Sequence, residues 1–227
     1  MAGCTQARYA STTASHRKLT HLDETGSPRM VDVSSKDVTK RGATAVGKIY
    51  INKLAYLLIT GIDSSCSESA NMTSSYEEAR AEHSSERSKE ATDESRLSAV
   101  NKARRKAGGD GRNVLTIAQL AGIMGAKSTS TLIPLCHPLQ LSHIDVSLGL
   151  TSEGSSERGE MKYAIRCEAT VTCEGKTGVE MEALTSVSIS LLTVWDMLKA
   201  VAGQDMLITG VKLVQKLGGQ SDFTKYE

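Results

Sequence analysis

Gly175 to Val201 reads GKTGVEMEALTSVSISLLTVWDMLKAV. Its second half has the apolar spacing of a long core helix, interrupted by only two charges, Asp196 and Lys199. Three residues apart, they share one helix face. A buried charge is costly unless it is paired or used. The two therefore read either as a surface ion pair worth little or as acid and base groups of a reaction site lined by a core element. Leu191, Leu192, Val194, Trp195 and Leu198 leave little polar face around them, which favours the site. Just upstream, Glu180 and Glu182 stand in a small and apolar segment. On a helix their side chains diverge, whereas on an extended chain they share a face. If both serve one site, the helix begins after them, near Ala183 or Leu184. Otherwise they simply favour the positive end of the helix.

Outward from this segment, the periodicity assigns the remaining elements. Ala43, Ala45, Gly47, Ile49 and Ile51 alternate as a strand. Asn52 can cap a helix over Lys53 to Thr60, with Gly61 as its stop. Asn113 is a good cap for a helix carrying Val114, Ile117, Ala118, Leu120, Ala121 and Met124, and a second short helix runs from near Ser128 to Pro134. Ile144 to Leu150 and Met161 to Cys173 alternate as strands, and SEGSSERGE between them suits a hairpin turn. The long helix ends near Ala202 and Gly203, and Val211 and Leu213 mark a last strand before Gly218-Gly219. In order, this is strand, helices, strand, strand, helix, strand. The fold class is α+β: a ferredoxin-like split βαβ arrangement, an antiparallel sheet with helices packed on one face.

Composition sets limits. The 227 residues carry a net charge of +1, which argues against an open basic surface for nucleic acid. Aromatic content is 4%, low for a protein that stacks bases; the strands offer only Tyr50 and Tyr163 for that purpose. No apolar run reaches the ~18 residues of a membrane helix. The five cysteines include no C-x-x-C pair, and Cys167 and Cys173 lie too far apart along one strand to bond, so a reducing compartment is expected. Residues 1–18 read as a disordered N-terminus or a mitochondrial transit peptide: the first 21 residues hold Arg8, Arg17 and Lys18 but no acid. Residues 19–227 then form one domain, interrupted at about 62–112 by a Ser- and Glu-rich insertion that buries little.

Other segments carry candidate chemistry. Leu132 to Leu139 reads LIPLCHPL, where two prolines hold Cys136 and His137 on stiff, extended backbone. No second Cys or His pair has ligand spacing, so no metal site is expected. GKTG at Gly175 to Gly178 fails as a phosphate loop, because Thr170 stands where the motif needs its first glycine. Arg41, Lys127, Lys199, Lys212 and Lys216 are scattered cations that a polyphosphate could gather. Lys216 precedes a Gly-Gly turn that lets backbone approach a ligand closely.

Four segments, MVDVSSK (Met30 to Lys36), LIPLCHPLQLSH (Leu132 to His143), KTGVEMEALTSVS (Lys176 to Ser188) and WDMLKAV (Trp195 to Val201), with the closing KLGGQSDF, closely resemble the MoaC family. The resemblance runs from about Leu19 to Lys225, the insertion excepted. It implies a ferredoxin-like lyase, cyclic pyranopterin monophosphate synthase. Such an enzyme converts 3′,8-cyclo-7,8-dihydro-GTP, supplied by a radical SAM enzyme, to cyclic pyranopterin monophosphate and pyrophosphate in molybdenum cofactor biosynthesis. It also implies a homo-hexamer, a trimer of dimers, with active sites at subunit interfaces, and no nucleic-acid or membrane partner. No obligate cofactor is implied beyond Mg2+ accompanying the substrate triphosphate. Residue by residue, Asp196 and Lys199 match the family's acid–base pair. Leu135, Cys136 and His137 match one substrate-contacting loop, and Met181 and Glu182 another, with Glu180 beside them. Arg41 and Lys216 match cationic contacts, and Lys36 sits where the family has a further one. The family's catalytic lysine in Lys-Gly-Asp has no direct counterpart. Here Lys106 stands in Lys-Ala-Gly-Gly-Asp, so either Lys106 reaches in from a lengthened loop, Arg112 substitutes, or that function is lost. Ser128 and Thr131 also stand where the family favours Arg and Asp.

Overall fold

Alternate residues of the first strand are Ala43, Ala45, Gly47, Ile49 and Ile51, and this small, apolar row decides which side of the sheet is covered. The computed structural model describes residues 19–61, 112–153 and 162–225. Five strands, β1 (Thr39–Ile51), β2 (Leu141–Glu153), β3 (Lys162–Gly175), β4 (Leu207–Leu217) and β5 (Phe223–Thr224), pair in the order β2-β3-β1-β4-β5, every neighbour antiparallel. Leaving the short β5 aside, this is the split βαβ order expected, with helices following β1 and β3.

Local signals set the helix ends. In α1 (Lys53–Thr60), Asn52 Oδ1 accepts from Ala55 N at 2.9 Å, and Gly61, at φ 71°, donates its N–H to Leu57 O. Next come α2 (Arg112–Lys127) and the single turn α3 (Thr129–Leu132), which follows Ser128. The second crossover helix is α4 (Glu180–Ala202). It is long and apolar enough to cross a membrane by length and composition, but it serves as the core helix. Val187, Leu191 and Val194 are fully buried against the sheet.

Helix α2 packs beside α4 on the same side and also covers β2. The two helices approach closely because Gly122 has no side chain. A Cβ there would collide with Ser190 Oγ and stand 3.1 Å from Ser186 O; one at Gly125 would stand 2.9 Å from Ile189. Tyr163 faces the helices, its ring 4.5 Å from that of Tyr56, so of the two strand tyrosines only Tyr50 lies on the open face.

Three expectations need correcting. The long helix starts at Glu180, not near Ala183 or Leu184, because Val179 O already accepts from Ala183 N at 3.1 Å. The first turn thus contains both carboxylates, beside its unpaired N–H groups. Asn113 lies one residue inside α2 rather than capping it. The pair β4–β5 closes the sheet edge through a two-residue strand too short for periodicity to mark. The N-terminal segment 1–18, the insertion up to residue 111, including Lys106, and the turn 154–161 lie outside the described residues.

Candidate functional site

The site forms where the N-terminal end of α4 meets the ends of β1 and β4. A cavity of about 820 Å³ opens there. Its lining includes Lys36, Arg41, Leu135, Cys136, His137, Glu180, Met181, Glu182 and Lys216, nine of the twelve residues expected from the sequence. Each arrives on a different kind of support. Arg41 comes from β1 and Lys216 from β4, two residues held side by side in the sheet register through Ala43↔Lys216 and Gly42↔Leu217. The Pro-framed loop after α3 delivers Leu135 to His137, with Cys136 N bonded to Ile133 O at 3.1 Å. The first turn of α4 supplies the two glutamates.

Starting a helix at Glu180 sends the two carboxylates in different directions, yet both reach the cavity because it wraps the helix end itself. Glu180 turns back over Gly178, where any Cβ would collide with its carboxylate, and pairs with Lys216 Nζ at 2.7 Å. Glu182 points inward and is only 4% exposed. Burial, reinforced by the neighbouring charge of Glu180, raises its pKa above the ordinary carboxylate range. Cys136 lies beside it, and burial together with the Glu182 charge pushes this thiol up as well. That shift argues against a nucleophilic thiolate here.

The cavity is thus a mixed site. Cations stand along the strand side, a buried acid with a raised pKa lies beneath, and His137 is held on rigid backbone. Lys176 also lines it, its Nζ donating to Ser34 O at 2.6 Å. Among the described residues no group of three or more His, Cys, Asp or Glu side chains converges as a metal cage would.

Glu182 gives a pH test. Its folded pKa lies above its unfolded value, so between the two the folded chain binds more protons. Its contribution to stability is therefore present at low pH and lost as pH rises through the raised value. Urea unfolding of Glu182→Gln is expected to be flatter in that window than wild type, and relatively more stable at neutral pH. A parallel pH profile for both proteins would show that Glu182 is not strained by its burial.

Asp196 and Lys199 do not join this group. They pair with each other at 2.6 Å on the exposed side of α4, with side chains 72% and 63% exposed. Asp196 lies fourteen residues beyond Glu182, about 21 Å along the helix. In one chain the pair cannot touch a molecule held at the cavity's glutamates. The side chain of Arg112 falls outside the description, as Lys106 does altogether.

Sequence reasoning missed Asp222. Its carboxylate accepts from Gly218 N at 3.0 Å and Gly219 N at 2.8 Å, and so shapes the turn beside Lys216. The signal was present as an Asp three residues after a Gly-Gly pair, a spacing that lets a carboxylate fold back onto turn amides.

The model of the MoaC family matches residues 71–219. Cyclic pyranopterin monophosphate synthase of Campylobacter lari is 38% identical over 203 residues, covering 89% of this chain and 95% of that protein. The mitochondrial cyclic pyranopterin monophosphate synthase of Arabidopsis thaliana is 37% identical over 94% of this chain and 59% of its own length. Molybdenum cofactor biosynthesis protein 1 of Drosophila melanogaster is 39% identical over 93% of this chain, which spans 28% of that longer protein. A family model over most of the chain and a relative matched almost end to end make one conclusion plain: the chain belongs to the MoaC family.

Proposed function

We propose that this chain is a cyclic pyranopterin monophosphate synthase, converting 3′,8-cyclo-7,8-dihydro-GTP to cyclic pyranopterin monophosphate with release of pyrophosphate. The observation that carries the reading is the convergence of Arg41, Lys216 and Lys36 with Glu182 and the Cys136-His137 loop in one cavity of a MoaC-family chain. A triphosphate needs several cations, and ring rearrangement needs proton transfers, each positioned acid or base contributing roughly 10²–10⁴-fold. Arg41, Lys216 and Lys36 hold phosphate oxygens in this reading. Glu180, Met181, Glu182, Leu135, Cys136 and His137 contact the remainder of the substrate. Mg2+ accompanies the phosphates, coordinated mainly by them and by water rather than by a protein cage.

Asp196 and Lys199 are the proton-transfer pair, and because they stand so far from the cavity of their own chain, they serve the cavity of a neighbour. Self-association into a homo-hexamer, a trimer of dimers, is part of the same reading. Its support is an exposed apolar stripe, Ile117, Leu120 and Met124 on α2, with Leu132 following on α3. Lys106, or Arg112 in its place, supplies the remaining cationic contact; an arginine there holds phosphate but serves poorly as a base. A mitochondrial matrix location rests on the acid-poor N-terminus and on the name of the Arabidopsis relative.

The test is turnover. Purified protein incubated with enzymatically made 3′,8-cyclo-7,8-dihydro-GTP is expected to yield the pyranopterin product and one pyrophosphate per turnover, followed by chromatography. An assembled oligomer that makes no product would overturn the reading and leave a scaffolding role for the chain.

A further inference from the structure

Two cations of the cavity already have partners. Lys216 is held by Glu180, and Arg41 donates from Nε to Gly175 O at 3.4 Å. A side-chain carbon at Gly219 would stand 3.2 Å from Lys216 Cε, 3.5 Å from Arg41 Nη1 and 3.7 Å from Asp222 Oδ1, so all three groups meet around one point of the turn. The donors there are two successive backbone N–H groups, both aimed at the Asp222 carboxylate. Successive amides in a turn form a concavity that suits any compact anion, phosphate as well as carboxylate. Gly218 holds the φ of +82° that this turn requires, with Thr39 Oγ1 donating to its carbonyl at 3.0 Å.

We propose that Asp222, exposed at the rim beside the cavity-lining Gly218 and Gly219, is an internal anion on the amides that a phosphate would use, and that substrate or product phosphate competes with its carboxylate for those amides and for Arg41 and Lys216. This rests on the reading of the cavity as a phosphate-binding site. The amides, followed by Lys216 and Arg41, hold the Asp222 carboxylate below the ordinary range, so it stays ionised at neutral pH and keeps its charge in the competition. Its role is to limit the affinity for the diphosphate end. A carboxylate returning to the amides as pyrophosphate departs makes release easier than the bare cation set would allow. Asp222 is thus a specificity-determining residue that weakens anion binding, the opposite of what a turn anchor alone would do.

Two variants separate these roles. Asp222→Asn removes the charge and keeps one oxygen, so one of the two amides retains its acceptor; Asp222→Ala frees both amides. Calorimetric titration of the full chain with pyrophosphate, at fixed ionic strength, is expected to show Asp222→Asn binding on the order of tenfold tighter than wild type. Asp222→Ala, which frees both amides, is also expected to bind more tightly, and weaker binding by an Asp222→Ala protein that melts like wild type overturns the proposal. Unchanged or weaker binding by Asp222→Asn overturns the proposal and leaves Asp222 as a turn anchor. Absence of pyrophosphate binding in all three proteins overturns it too. Product formation by the wild-type enzyme judges the underlying reading separately, since an active enzyme with an indifferent Asp222→Asn variant keeps that reading and loses this proposal.

Discussion

Asp196→Asn and Lys199→Ala are each expected to lower product formation by at least 10²-fold, and mixing either with Lys216→Ala is expected to restore part of it. The rescue follows from geometry. Cavity and ion pair lie about 21 Å apart on one helix, so the proposed function draws the cavity from one chain and the pair from another. A chain defective only in the pair still offers an intact cavity. A chain defective only in Lys216 still offers an intact pair. If chains pair at random in equal mixture, half the pairs are mixed and each mixed pair has one complete site, so roughly a quarter of the sites recover. The measurement is turnover after co-refolding or co-expression, against each variant alone. No rescue, with oligomers demonstrably mixed, would mean that both sets act within one chain by a route that the exposed position of Asp196 does not offer.

The second large effect is on stability. Gly122→Leu is expected to lower Tm by about 10 °C or to prevent soluble expression. The first atom of any side chain at 122 already collides with Ser190 Oγ and presses on the backbone oxygen of Ser186, and neither can leave without moving α4. Overpacking of a close-packed core costs typically 1–3 kcal/mol and more where backbone must shift, and 1 kcal/mol is worth about 2–4 °C in a domain of this size. Gly149→Ala is the control. A Cβ at Gly149 meets nothing within 4 Å, so its melting curve is expected to match wild type to within a few degrees. Equal behaviour of the two variants would show that the α2–α4 contact is looser than described.

How legible this was from sequence depended on range. Asn52 and Gly61 mark their helix because cap and stop bond to residues three and four positions away. The alternation from Ala43 to Ile51 marks its strand and its covered face because period two is written in adjacent residues. Most cavity residues were recoverable as well, because the family pattern quotes them as contiguous runs. Interactions reaching across the chain were not. Nothing local says that Gly122 is small for the sake of Ser190, sixty-eight residues on. The start of α4 is hidden for a different reason. An extended chain brings alternate residues to one site, but a cavity folded around a helix end collects Glu180 and Glu182 as well. The sequence reading named the Asp196–Lys199 pair but could not show that it sits at the far end of its own helix from the cavity.

The Gly122 contact meets α4 at Ser186 and Ser190, just short of the midpoint of a rod about 34 Å long. Seen mechanically, that contact is a fulcrum. A tilt of a single degree about it swings the glutamates one way and the Asp196–Lys199 pair the other, each by about 0.2 Å. Because catalytic geometry is lost over about 1 Å, a small side chain at 122 that the fold survives should displace the cavity end and the Asp196–Lys199 end of α4 at once. Activity should then fall well before Tm does.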